Sequence, residues 1–522
     1  MHRLVIALTS LLGLTAAGVV AGYLLLFSAA ADRAASLVPA ETAFYANVYL
    51  QPSTGQRMNL AGLLGRIPGF EDTSTLDEKI DQVAQNLLAD TGLDYRDQIK
   101  PWLGNQLAIA AWPAADGTAE AEPVLLAEVK DPEAAQDAIA ELAGDGFSVE
   151  TYQGVDMQVA DGSTYAFVED MLVIGPAPEA IHAVVDVSGG QASLADRAAF
   201  RRTVDGLPAD HLASVFIDLA GIATAVDVED ELSGVSVAGA ALVAETDGLR
   251  LSGSAPFDMD GAQPSSRAGF ALGGEPSSLV DWMPDDTLAQ VVVFGLRDLL
   301  EGAEEAAAGA PDGEEVVGML DSLRALAAFG LGIDLDADVL PLLDREVGIA
   351  LSGLDGELPS GQLLLRPDDA DAAAEALDRL ADALGRAGAE VRSEEAAGAN
   401  ITVVALPDGG SLAFTMLAPD GIVIAGFDVD SVAAALHAHA DGTSLGASSA
   451  YRRVFETAGT RGGNEGWANV AALVDLMGDD ADLPADVRDI LGQVGAFGFT
   501  MPSRDDQIEF HLVLTIDESR TE

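Results

Sequence analysis

The chain contains no cysteine. Disulfides, thiolate metal sites and a cysteine nucleophile are therefore excluded, and packing and hydrogen bonding must hold its folded parts together. Aromatic residues make up only 5% of the 522 residues, against 49% hydrophobic residues overall, so the cores are built mainly from Ala, Val and Leu. Positive charge is scarce too: 26 basic residues face 85 acidic ones, a net charge of −59, and Lys79, Lys100 and Lys130 are the only lysines. A surface of that sign repels nucleic-acid phosphates and anionic lipid headgroups, which argues against nucleic-acid binding and against electrostatic contact with a membrane surface. The acids are spread along the chain rather than gathered in a tail, the pattern of a hydrated, self-repelling exterior more than of a cation trap. A Walker loop, a Gly-x-Gly-x-x-Gly turn after a strand and a His-Glu-x-x-His pair are also missing, and no cofactor is implied.

One stretch lacks charge altogether, from Leu4 to Ala31. About 20 apolar residues suffice to cross a bilayer as a helix. Arg3 precedes the run and a strongly acidic chain follows, so residues 1–36 are expected to be a membrane anchor with the N-terminus inside. Everything after Asp32 then lies outside the cytoplasm. The alternative is a cleaved signal peptide ending near Ala29-Ala30-Ala31, but the run exceeds the usual 7–15 residues of such a core.

Beyond the anchor the same pattern is written twice. Val38-Pro39-Ala40-Glu41-Thr42 leads into the strand-like Phe44–Leu50, and Met283-Pro284-Asp285-Asp286-Thr287 leads into Ala289–Phe294. Ser193-Leu194, with Ala199-Phe200-Arg201-Arg202 behind it, returns as Ser444-Leu445 with Ala450-Tyr451-Arg452-Arg453. An offset of about 245 residues is too long for a solenoid unit and right for a duplicated domain. Many short strands joined by tight turns, with helices in clumps, predict an α+β fold: two tandem copies of a largely antiparallel sheet with packed helices, preceded by one transmembrane helix. The first copy is expected over 37–261, a Gly/Pro/Ser-rich linker over 262–280 and the second copy over 281–517. Glu301–Glu315 reads as a low-complexity loop. Met58–Phe70, with Leu63, Leu64, Ile67 and Phe70 on one stripe, reads as an amphipathic segment without a counterpart in the second copy. Such a stripe packs on its own sheet or covers lipid or a groove.

Candidate chemistry is thin. Gly442-Thr443-Ser444-Leu445-Gly446 fits the hydrolase elbow Gly-x-Ser-x-Gly, yet it joins two helical patterns where the elbow needs a strand before the serine. A helix stop followed by a serine cap explains it better. Asp334-Leu335-Asp336-Ala337-Asp338 begins like a calcium loop, but Val339 and Arg345 stand where the turn glycine and bidentate glutamate belong. His437 and His439, two apart on a helix, point to different faces. The pairs Arg201-Arg202 and Arg452-Arg453 are the remaining positive features, read as ion pairs before an anion site.

Val38-Pro39-Ala40-Glu41-Thr42, Leu63-Leu64-Gly65-Arg66-Ile67-Pro68-Gly69-Phe70 and Pro101-Trp102-Leu103-Gly104 together resemble a group of bacterial single-pass membrane proteins classed only as carrying a domain of unknown function. That resemblance supports the topology and implies no activity, catalytic residue or cofactor. The expectation is a non-enzymatic, membrane-anchored extracytoplasmic protein that contacts an envelope protein. The alternatives are a carrier or sensor for an apolar, lipid-like ligand and, more remotely, a hydrolase using Ser444.

Overall fold

The two short motifs that recur in the sequence are built into the structure as one device, used twice. In the computed structural model, which describes residues 32–66, 76–87, 93–113, 121–143, 147–160, 162–226, 234–262, 264–309, 313–355, 358–405, 410–477 and 491–517, Pro39 forms a β-bridge to Ser193 and Pro284 forms one to Ser444. Proline has no N–H, so its neighbours supply the bonds. Leu194 donates its N–H to the Val38 carbonyl at 2.9 Å and Leu445 donates to Met283 at 2.7 Å. Ala40 and Asp285 return the bond to Ala192 (3.2 Å) and Thr443 (3.1 Å).

The chain divides into two units, Met1–Phe257 and Asp258–Glu522. In the first, β1 (Phe44–Tyr49), β2 (Leu103–Pro113), β3 (Ala121–Val129), β4 (Ser148–Tyr152), β5 (Val155–Ala160), β6 (Ser163–Val168), β7 (Met171–Gly175), β8 (Ala213–Asp218), β9 (Val237–Ala244) and β10 (Gly248–Pro256) form an antiparallel sheet. Its order is β4-β5-β6-β7-β3-β2-β1-β8-β9-β10. The second unit has β11 (Ala289–Phe294), β12 (Glu346–Asp355), β13 (Leu358–Arg366), β14 (Glu390–Ala396), β15 (Ala399–Ala405), β16 (Ser411–Leu417), β17 (Ile422–Gly426), β18 (Asn464–Asn469), β19 (Val494–Met501), β20 (Ser503–Arg504) and β21 (Gln507–Ile516). These pair antiparallel as β14-β15-β16-β17-β13-β12-β11-β18-β19-β21, with β20 as a short hairpin partner of β21. Counted from its own first strand, each unit pairs its strands in the same order.

A side chain near the start of β2 or β12 caps the 3₁₀ turn ahead of each unit's first strand, Ala34–Ser36 and Leu279–Asp281, where N–H groups would otherwise lack partners. Gln106 Oε1 accepts from the N–H of Arg33 (3.1 Å) and Ala34 (3.3 Å), while its Nε2 donates to Asp32 (2.6 Å) and Asn47 (3.0 Å). Glu346 accepts from the N–H of Ser278 (3.0 Å) and Leu279 (3.4 Å) and from the Ser277 and Ser278 hydroxyls. On one face of the first sheet, the helices Pro178–Ser188 and Ala198–Asp205 close a core of Val38, Leu126, Val173, Ile181, Val184, Leu194 and Phe216. In the second, Val429–Asp441 and Ser449–Ala458 do the same over Met283, Val292, Leu364, Ile424, Val432, Leu445 and Trp467.

Several expectations need correction. Glu301–Glu315 is not a loop: helices span Leu296–Gly309 and Gly313–Leu326. Ala and Glu are strong helix formers, and Arg324 clamps Glu304 with two bonds of 2.7 and 2.6 Å. The second unit therefore does carry a helix after its first strand, as the first carries Thr54–Leu64, which Ser53 caps at Gln56 (3.2 Å). That first-unit helix ends before Gly65, and Ile67 and Phe70 lie outside the described residues. Within the expected linker 262–280, Pro264–Leu272 is helical and Leu279–Asp281 forms the 3₁₀ turn already described. The run Leu4–Ala31 also lies outside the described residues, and no helix among the described residues is long and apolar enough to cross a membrane.

Candidate interaction surface

Directly opposed residues on antiparallel strands share a sheet face. One such row crosses the second sheet through Phe414, Ala425, Leu363, Ile349, Val291, Gly466, Phe499 and Leu512. It holds no polar side chain, yet its middle is open to solvent: Leu363 is 38% exposed, Ile349 59% and Val291 44%. Phe497 and Met501, on the same face of β19, are exposed as well. A Cβ on Gly466 would stand 2.2 Å from the Phe499 ring, so the glycine is what lets that ring lie down over β18.

The corresponding row of the first sheet runs through Tyr165, Ile174, Leu125, Ile109, Ala46, Val215, Ala240 and Gly253. There Tyr165, Ile174, Leu125, Ala46 and Ala240 are buried. A cluster including Ala84 of the helix Leu76–Leu87, Ala135 and Ile139 of the helix Pro132–Ala143, and Trp102 packs on Leu125, Ile174 and Tyr165. Phe147 adds an edge-on contact to Tyr165, with ring centroids 5.3 Å apart. In the second unit the helix Ala370–Arg386 sets Ala373, Ala376 and Leu377 on Val347, Leu365 and Val423, the row two residues away on the side of the β12 start and the β13 end. The next row is left bare.

Carboxylates gather at one end of the three strands that carry the bare stretch. Asp298 follows β11, Asp344 precedes β12 and Asp368 follows β13. Burial, and then the negative charges of Glu301, Asp344 and Asp368, hold the Asp298 carboxyl above its usual range against the pull of Arg297. Arg297 bridges Glu301 (2.8 Å) and Asp344 (3.1 Å), and Arg345 binds Glu275 at 2.7 Å.

The residues singled out from sequence do not converge on one site. Leu63 is buried in the first unit and Leu64 half-buried on the same helix. Arg201, Arg202, Arg452 and Arg453 are exposed on their helices, with Arg453 paired to Asp517 at 2.8 Å. Ser444 is buried at the start of the 3₁₀ turn Leu445–Ala447. Its flanking glycines have packing reasons: Gly442 ends a helix at φ +70°, and a Cβ on Gly446 would stand 2.6 Å from Asp281. Asp334 accepts the N–H groups of Asp336 and Ala337, and Asp338 binds Arg379 at 2.6 Å. His439 stacks on Trp282, 3.6 Å between centroids.

Sequence reasoning missed the open row. Val291-Val292-Val293 is apolar on both faces, which reads as a strand buried on both sides. Exposure shows only once the register is known.

Crystal forms I and III of TP0453 are similar to part of this chain. The first is 10% identical with a TM-score of 0.24, covering 43% of this chain and 78% of that one. For the second the identity is 10% and the TM-score 0.26, over 47% and 88%. Likenesses of that size carry no reading of the site. No curated protein matches the chain. Residues 4–512, nearly its whole length, match the pattern of a family described as "Protein of unknown function (DUF3352)", and the chain belongs to that family.

Proposed function

We propose that this chain is a non-enzymatic binding protein of the bacterial cell envelope, anchored in the membrane by its first helix. Its outer part consists of two copies of one domain, the second of which docks a partner on its bare apolar row. The bare row Leu363–Ile349–Val291 carries this reading, because of its equivalents in the first unit Leu125 and Ala46 are buried and Ile109 half-buried, Leu125 and Ile109 within the cluster that the chain's own helices close. An apolar row left in water is unfavourable by roughly 25 cal/mol for each Å² that could be buried, and such patches mark interaction sites. The duplication is supported by the shared strand order and by the twin bridges at Pro39 and Pro284. The anchor is supported by the uncharged run Leu4–Ala31.

Nile red, a neutral dye, tests the surface without electrostatic repulsion. Its emission should rise on the intact protein and fall by more than half in Ile349→Asp at an unchanged melting temperature; an unchanged signal would remove the apolar surface. Protease added to spheroplasts tests the placement: digestion of the chain beyond Asp32 is expected, and full protection would overturn it. Lipid that co-purifies in native mass spectrometry and is lost in Ile349→Asp would favour the carrier reading instead.

A further inference from the structure

We infer that the occupant of the bare row is a cationic amphipathic helix of a partner polypeptide; this rests on the proposed docking role. Three kinds of occupant could cover an apolar row: a lipid surface, a second copy of this chain, or a segment of another protein. Charge separates them. Two copies would bring −59 against −59, and an anionic bilayer meets the same repulsion.

The surroundings of the row point the same way. Between the row and the strand ends that carry Asp298, Asp344 and Asp368, with Arg297, Arg345 and Arg366 among them, lies the helix Ala370–Arg386, whose exposed face carries Asp371, Glu375, Asp378 and Asp382. Leu363, Ile349 and Val291 each lie three residues from those strand ends, about 10 Å away. An apolar stripe beside an acidic margin complements a helix with Leu-like residues on one face and Lys or Arg along one flank. From Leu363 on β13 to Phe499 on β19 the row crosses four strand spacings, about 19 Å. That is the length of a helix of about 13 residues.

The probes are a labelled 14-residue Leu/Lys model helix, its Leu/Glu counterpart, and phosphatidylcholine vesicles, each titrated against the full chain and read by fluorescence anisotropy or co-sedimentation. The Leu/Lys helix should bind, and Ile349→Asp should weaken it at least about tenfold. This substitution makes the protein more acidic, so attraction by bulk charge alone would strengthen binding; unchanged or tighter binding therefore overturns the inference. Val149→Asp, on an exposed position of β4, adds the same charge elsewhere and should leave the affinity within about twofold. If the Leu/Glu helix or the vesicles bind as tightly and are lost in Ile349→Asp, the docking surface stands and the cationic partner is wrong. A sedimentation shift to dimer that Ile349→Asp abolishes would also overturn it, in favour of self-association. If no probe binds, both the inference and the docking role fall.

Discussion

A buried and a half-buried carboxylate show how single side chains are held in a chain with so little positive charge. Glu465 is fully buried and accepts bonds from the Tyr451 hydroxyl (2.7 Å) and from Arg461 (2.8 and 2.9 Å). The Arg461 guanidinium also lies over the Tyr451 and Phe455 rings, 5.3 and 5.7 Å from their centroids. Removing one partner of a buried pair strands the other, so Arg461→Met should lower the unfolding free energy by about 3–5 kcal/mol in urea titrations near neutral pH. A loss below about 1 kcal/mol would mean that Glu465 is not ionised there. Asp32 is a different case, with no arginine or lysine bound to it among the described residues: its carboxylate accepts from Tyr45, Gln106 and the Ala35 N–H, and His211 adds a smaller attraction. Burial lifts its pKa above the usual 3.8 in spite of those bonds. The folded state therefore prefers the neutral acid. Its contribution is complete below the unfolded pKa and is lost as pH rises through the lifted folded value. Asp32→Asn keeps an acceptor oxygen in place, so its stability relative to the parent should grow between about pH 4 and pH 7. A difference that shrinks over that range would contradict the assignment.

At the scale of elements, the helix Thr54–Leu64 tests the stripe noticed in the sequence. Leu60 and Leu63 are buried, while Gln56 and Asn59 tie the helix to Ala244 of β9 at 2.8 Å each. Leu63→Ala should cost about 2–5 kcal/mol and Leu64→Ala under about 1 kcal/mol, read from thermal melts. Equal losses would mean that the helix is not seated as described. Where alternation, as in Val155–Ala160, or a short apolar run, as in Met171–Gly175, is bounded by turn residues, the strands were legible directly from the residues. Capping signals were legible too: Asp131 accepts the Ala134 N–H at 3.1 Å ahead of the helix Pro132–Ala143. Glu390–Ala396 escaped because its strand is exposed and mostly polar, so no apolar period marks it. Leu219–Val226 escaped for the opposite reason, since a short all-apolar run does not distinguish helix from strand. Of the candidate surface, the sequence showed the strands and not their register, and register alone brings Leu363, Ile349 and Val291 side by side.

For the whole molecule, a net charge of −59 sets the response to salt. Like charges repel most in the compact state, so screening should favour folding. The melting temperature is expected to rise by several degrees between about 0.01 and 0.5 M sodium chloride, as the Debye length shrinks from about 30 Å toward a few ångströms. A fall over that range would mean that attractive ion pairs such as Arg197–Asp218 and Arg324–Glu304 outweigh the repulsion. The strands β4 and β14, at one end of each sheet order, have a bearing on the open row. Val149 and Val391, exposed on β4 and β14, are flanked by Ser148 and Glu150 in one strand and by Glu390 and Arg392 in the other. An uncapped strand with a charged or polar residue beside each apolar one is a poor template for a neighbouring chain. The sticky part of the protein thus lies on a broad face, and the β4 and β14 rims are fenced with polar and charged side chains. Concentrated solutions should stay clear of fibrils even while the apolar face waits uncovered.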